Sequence, residues 1–183
     1  MEQLFITIFS ILTIAIQALL AILGILWLIG KTAHAKLYDQ IKQIIKQYGL
    51  IILFLVPTAA MAGSLIFSKI IGFEPCELCW YQRMFLYPQA MLAAAAIIRK
   101  KKDIIPYLAL LSVFGAIISA YQYVNQMATY YGSSRMPLLC ISDAVSCSEI
   151  YFLQFGYITI PLMTFTAFIL ILIISLIAKK TQE

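Results

Sequence analysis

The chain has 183 residues, of which 63% are hydrophobic and 11% charged, with a net charge of +5 and a mean hydropathy of +0.94. Soluble domains carry about 25% charged residues, so this chain has too few to cover a surface facing water. That excludes a soluble enzyme, a disordered tail and, despite a pI of ≈ 9.0, a nucleic-acid module; the composition is that of an integral membrane protein, and apolar runs too long for outer-membrane strands make its fold class all-α.

A transmembrane helix needs roughly 20 mostly apolar residues. Leu4–Gly30 has no charge and is the first predicted span. It lacks a basic leading region and a small-residue cleavage site, so it reads as an uncleaved anchor. Thr32–Tyr48 sets Leu37, Ile41, Ile44, Ile45 and Tyr48 on one helical face, with lysines on much of the other. That pattern predicts an amphipathic helix on the inner leaflet, attracted by anionic lipid. Further spans are predicted over Gln47–Ser68, Trp80–Ile98 (with Arg83 near its start), Ile104–Val124 and Ile150–Ala178, the last with an apolar core from about Tyr157. Between the last two, from about Asn125 to Phe155, runs a loop with Gly132, Pro137 and two cysteines. At ~30 residues it is long for a plain connector and reads as a working loop. The organisation is therefore an N-terminal transmembrane helix (1–30), an amphipathic segment (31–48) and a four-helix domain (49–183).

Basic residues set the orientation. Ten of the 13 follow the first, third or fifth span: Lys31, Lys36, Lys42, Lys46, Arg99, Lys100, Lys101, Lys102, Lys179 and Lys180. Five spans place all ten on the cytoplasmic face, with the N-terminus outside and the C-terminus inside. His34, the single histidine, falls in the cytoplasmic basic segment, where a solvated or interfacial role is expected.

The four cysteines form two pairs. Cys76 and Cys79 make C-x-x-C just before the third span, and Cys140 and Cys147 make C-x6-C in the long loop. The chain crosses the membrane twice between them, so both pairs fall on the outer, oxidising face. Two structural disulfides, a four-cysteine zinc site and redox exchange compete as explanations. Redox exchange is favoured because a C-x-x-C bridge closes almost no loop and makes a poor staple. Cys79 starts a helix, where the dipole and free N–H groups favour a thiolate. Arg83 lies one turn deeper on the same face, as a second stabiliser of negative charge or as a residue snorkelling to outer phosphates. Trp80, Tyr81, Gln82, Phe85 and Tyr87 read as a flat-ring site or as an interfacial aromatic belt.

The run Glu74-Pro75-Cys76-Glu77-Leu78-Cys79-Trp80-Tyr81-Gln82-Arg83, followed by Met84 and Tyr87-Pro88, resembles the DsbB family of disulfide-forming membrane oxidoreductases, and its BdbC branch most. Gly156-Tyr157-Ile158-Thr159-Ile160-Pro161 resembles the start of that family's last span. The similarity runs from about Ile44 to Ala178. It implies a four-helix bundle that reoxidises a soluble thioredoxin-fold thiol oxidase (DsbA- or BdbD-like) and passes electrons to a membrane quinone, menaquinone or ubiquinone. Menaquinone is favoured because a lysine- and isoleucine-rich BdbC-like chain suggests a Gram-positive host.

Carried onto this chain, Cys140 and Cys147 would exchange with the partner and Cys76–Cys79 would reoxidise them. Cys79 would form the thiolate beside the quinone, and Arg83 would hold the quinone oxygen. Three features depart from the family: the extra N-terminal helix with its amphipathic segment, the close spacing of the second cysteine pair, and the absence of an outer-half histidine. A reductase resembling vitamin K epoxide reductase is the enzymatic alternative, disfavoured because C-x-x-C here precedes the long loop. A non-enzymatic subunit with structural disulfides is the other. A transmembrane thiol carrier would need cysteines on the inner side, where there are none.

Overall fold

The computed structural model describes residues 2–29, 35–100, 103–132 and 146–180. They form five α-helices: α1 (Glu2–Ile29), α2 (Ala35–Leu65), α3 (Glu77–Arg99), α4 (Ile105–Tyr130) and α5 (Ile160–Lys180). A π-helical turn at Ile66–Ile70 leads from α2 towards α3. Among the described residues, α1, α2, α4 and α5 are long and apolar enough to cross a membrane. α3, with 23 residues, is about 35 Å long and also reaches across a ~30 Å core. It is less apolar because it carries Gln82, Arg83 and Gln89, all buried within the protein.

α2 packs on α3, α3 on α4, α4 on α5, and α5 back on α2. This closed ring is the expected four-helix membrane bundle. Its core draws on every member: Leu53 from α2, Leu86 and Ala93 from α3, Leu108 and Ala116 from α4, Phe168 and Ile171 from α5. The α4–α5 seam is the most extensive. There Gly115 lies under the Phe168 ring, so close that a Cβ on Gly115 would collide with the ring. Small residues let helices approach closely in lipid, where no hydrophobic force drives them together. α1 stands outside the ring and packs against α5.

Three boundaries differ from the sequence expectation. First, the segment read as a separate inner-face helix is helical from Ala35 and continues into the second span without a break. α2 thus has 31 residues, about 46 Å of helix against a ~30 Å core, so its lysine-bearing end extends beyond the hydrocarbon. Second, α4 runs to Tyr130, past the expected end at Val124. Asn125 and Gln126 look like loop residues, yet they are buried, and their amides donate to Tyr121 O (3.0 Å) and Glu149 O (2.7 Å). Third, α5 starts at Ile160, preceded by a tight turn in which Gln154 bridges Ile158 and Gly156 takes φ +79°.

Candidate active site

Cys76 is the N-cap residue of α3, in extended conformation, and Cys79 lies in the first turn. Both precede Trp80, where the predicted span begins. They are free thiols with their sulfurs 2.9 Å apart, less than an ångström beyond a bonded S–S length of about 2.05 Å. The helix start directs unpaired backbone N–H groups towards them.

Gln122 of α4, 1% exposed, directs its amide at the pair. Its Nε2 lies 3.1 Å from Cys76 Sγ and 3.4 Å from Cys79 Sγ. Its Oε1 accepts from Gln82 Nε2 at 2.7 Å. Because Gln82 occupies the oxygen, the nitrogen is the end left to face the sulfurs. The Cys79 thiol is consequently lowered to about 6, first by the hydrogen bond from Cys76, then by the Gln122 amide and the Arg83 charge, against the opposing effect of burial. Cys76 moves the other way, raised by the shared hydrogen bond and by burial. In the dithiol form the negative charge therefore rests on Cys79 and the proton on Cys76.

Arg83 lies one turn further along α3 and is 9% exposed. Its Nε donates to Ser64 Oγ at 2.8 Å and its Nη2 to Ser64 O at 3.2 Å, both on α2. The guanidinium carbon sits 5.1 Å from the centre of the Trp80 ring. The side chain is thus held inside the bundle, not extended towards lipid headgroups.

Cys147 is disulfide-bonded, fully buried, and packed with Cys76 and Leu78 in one cluster. Cys140, its expected partner, lies outside the described residues, as does His34. The segment after Cys147 is fastened to the C-x-x-C loop. Tyr151 donates its hydroxyl to Glu74 O at 2.6 Å, and its ring stacks on Phe73 with centroids 4.6 Å apart. Cys76, Cys79, Arg83 and Cys147 therefore meet at one end of the bundle. Sequence reasoning missed Gln122, Gln126 and Ser64. Gln122 and Gln126 carried a usable signal: two amides four residues apart at the end of an apolar helix, where unpaired polar groups are costly.

Beside this centre is a cavity of ≈ 320 Å³. Cys76, Cys79, Gln82, Arg83 and Gln122 line it, with side chains of α1, α2 and α5 and of the segments that carry Phe73 and Tyr151.

A membrane helix bundle with a thiolate-forming C-x-x-C at a helix start, and a disulfide-bonded cysteine packed against it, is a thiol–disulfide oxidoreductase. A family model described as "Disulfide bond formation protein DsbB" matches residues 46–178. "Disulfide bond formation protein C" of Bacillus subtilis (strain 168) is 38% identical over 130 residues, covering 71% of this chain and 91% of its own. "Probable disulfide formation protein C 2" of Bacillus anthracis is 37% identical over 140 residues, covering 76% of this chain and 96% of its own. No solved structure matches significantly. The chain belongs to the DsbB family of disulfide bond formation proteins. It is a disulfide-generating oxidoreductase; members of the family reoxidise a DsbA-like thiol oxidase and are quinone-linked in general.

Proposed function

We propose that this protein reoxidises an extracytoplasmic thioredoxin-fold thiol oxidase of the DsbA/BdbD kind and delivers the electrons to menaquinone. The observation that carries this reading is the contact between the pairs: Cys147 is packed on Cys76, while Cys79 and Arg83 line the adjoining cavity. A thiolate of the partner attacks the Cys140–Cys147 disulfide. Two electrons enter the loop pair, and the partner leaves as a disulfide. Exchange with the Cys76–Cys79 disulfide restores the loop pair and leaves Cys76 as thiol and Cys79 as thiolate. Two electrons would then leave this pair for the acceptor together with the Cys76 proton, the second proton being drawn from solvent, to which Cys79 released it on ionising, and the Cys76–Cys79 bond would close again.

The cavity suits a quinone ring. It is mostly apolar and has the Arg83 guanidinium on its wall. Gln126, which also lines it, has a buried Oε1 with no partner among the described residues. A bound quinone supplies two-electron acceptor chemistry, giving a quinol. Arg83 would hold the acceptor oxygen and stabilise negative charge there. Gln82 and Gln122 keep Cys79 ionised beside the cavity.

The charge distribution supports a multi-pass protein of the bacterial cell membrane, with the N-terminus outside, the C-terminus in the cytoplasm and both cysteine pairs on the outer face. Residues 49–183 form the redox domain, 1–30 an added helix and 31–48 a basic inner-face extension. An anaerobic mixture of the purified protein with reduced thiol oxidase, followed by quinone absorbance, tests the reading. Quinone reduction and a trapped mixed disulfide are expected. Full turnover by Cys76→Ala would overturn the proposed electron path. Arg83→Gln raises the apparent KM for quinone; an unchanged value removes Arg83 from the acceptor site.

A further inference from the structure

The family match begins at residue 46, so α1 lies outside it, and the cysteine chemistry uses no residue of α1. Yet α1 is held in a specific position. Gln17 donates from Nε2 to Thr166 Oγ1 of α5 at 3.0 Å, and its Oε1 accepts from the Tyr157 hydroxyl at 3.2 Å. Both ends of this amide are thus paired to the bundle. Ile6, Ser10 and Thr13 are buried along one face. Ser10 and Thr13 turn their hydroxyls back onto Ile6 O and Phe9 O, so this face offers shape and no polar demand. Phe9 lies over Gly63 of α2, where a Cβ would meet its ring at 2.8 Å, and it contacts Phe67 with centroids 5.5 Å apart. These contacts set both the height and the rotation of α1.

In that position Phe9, Leu12, Thr13 and Ile16 line the same cavity as Cys79 and Arg83. Ile8, Ile11, Leu19 and Ile22 are exposed on α1, as expected of a surface facing lipid. We propose that α1 is a wall of the electron-acceptor site: it encloses the quinone against α2 and α5, and its apolar side chains at Phe9, Leu12 and Ile16 limit which ring and tail can enter. Ala59, Ala60 and Gly63 of α2, which line the same cavity, leave width between α2 and α5, and α1 covers that gap on its membrane side. Selection here is by bulk, since the hydroxyl of Thr13 is already used within the helix.

This inference rests on the quinone reading above, and one experiment separates the two. Purified full-length protein is illuminated with an azido-quinone, and the adducts are mapped by mass spectrometry with and without excess menaquinone. Competable adducts are expected on the α1 peptide spanning residues 9–16 as well as on the bundle. In parallel, Ile16→Trp fills the space and weakens quinone binding about tenfold, whereas Leu19→Trp, on the exposed side, leaves it unchanged. Competable adducts confined to α2–α5, with Ile16→Trp binding unchanged, overturn the role of α1 and leave the quinone reading standing. No competable adduct anywhere overturns both. The labelling needs no substitution, so its answer does not depend on a variant folding.

Discussion

α4 makes two seams of opposite character. Towards α3 it presents amides and hydroxyls: Gln122 bonds Gln82 and the two sulfurs, and Ser112 donates to Gln89 Oε1 at 3.3 Å. Towards α5 it presents Gly115 to a fully buried Phe168. The first seam spends buried space on polar groups, those around Gln122 tuning a sulfur, and leaving such a group unpaired is costly because lipid offers no substitute. The second is closed by shape alone. One helix thus separates chemistry from cohesion, and substitutions on its two faces should fail in different ways.

The largest effect belongs to the chemical seam. Cys79→Ser removes the thiolate and should bring reoxidation of the thiol oxidase down to the uncatalysed background, with thermal unfolding in detergent little changed. A variant that still turns over would show that another group donates the electrons. Next comes Gly115→Leu on the packing seam. It should destabilise the bundle by about 1–3 kcal/mol, the usual cost of overpacking. Whatever remains folded should keep an ionised Cys79 at neutral pH; a rise in the Cys79 pKa there would mean that the two seams are not separable.

Gln122→Leu should do the reverse, raising Cys79 towards the ordinary thiol range and slowing alkylation of the dithiol form at pH 6.5 by about fivefold. The pH profile of the unaltered protein gives the reference. Because the Cys79 pKa is lowered to about 6, its thiolate dominates above that value. Alkylation should level off near neutrality and decline as pH falls through about 6. A midpoint near the usual thiol value of ≈ 8.5 would contradict the hydrogen-bonded arrangement. The smallest effect is expected for Gln82→Leu, which touches neither sulfur and only releases the Gln122 amide to rotate. Alkylation should slow less than in Gln122→Leu, and equality of the two would make Gln82 as important as the residue it positions.

The polar seam was also the part least legible in the sequence. Hydropathy alone marks long helices in a solvent of lipid, and C-x-x-C before an apolar run places a reactive cysteine at a helix start. Arg83, four residues after Cys79, reads correctly as a neighbour because 3.6 residues per turn brings it to the same face. Gln122 is different. Its four-residue spacing from Gln126 marks it as unusual, but its value comes from the α3–α4 packing, which brings residues 46 and 43 positions apart in sequence into contact, and no local period names those partners. Asn125 and Gln126 misled for a related reason: polar residues at a helix end read as loop, although their partners are within the protein. Ser64 is an ordinary small residue until Arg83 reaches it. The inner-face segment read as separate because its lysines change the composition, whereas a helical backbone is indifferent to charge and continues through Gly49.

The hydroxyl of Tyr151 bonds a carbonyl 77 residues earlier, at Glu74, and this has a consequence for synthesis. In the proposed orientation the C-x-x-C segment would already be outside when α3 and α4 have been made, with the residue that fastens its flank still in the ribosome or the translocon. Cys147 arrives at nearly the same moment as Tyr151. A nascent or prematurely terminated chain therefore holds only the helix-end pair, without the loop pair that the proposed electron path assigns to the partner. On the proposed electron path, both pairs are present only in the last fifth of translation, so a half-made chain lacks the entry point for electrons.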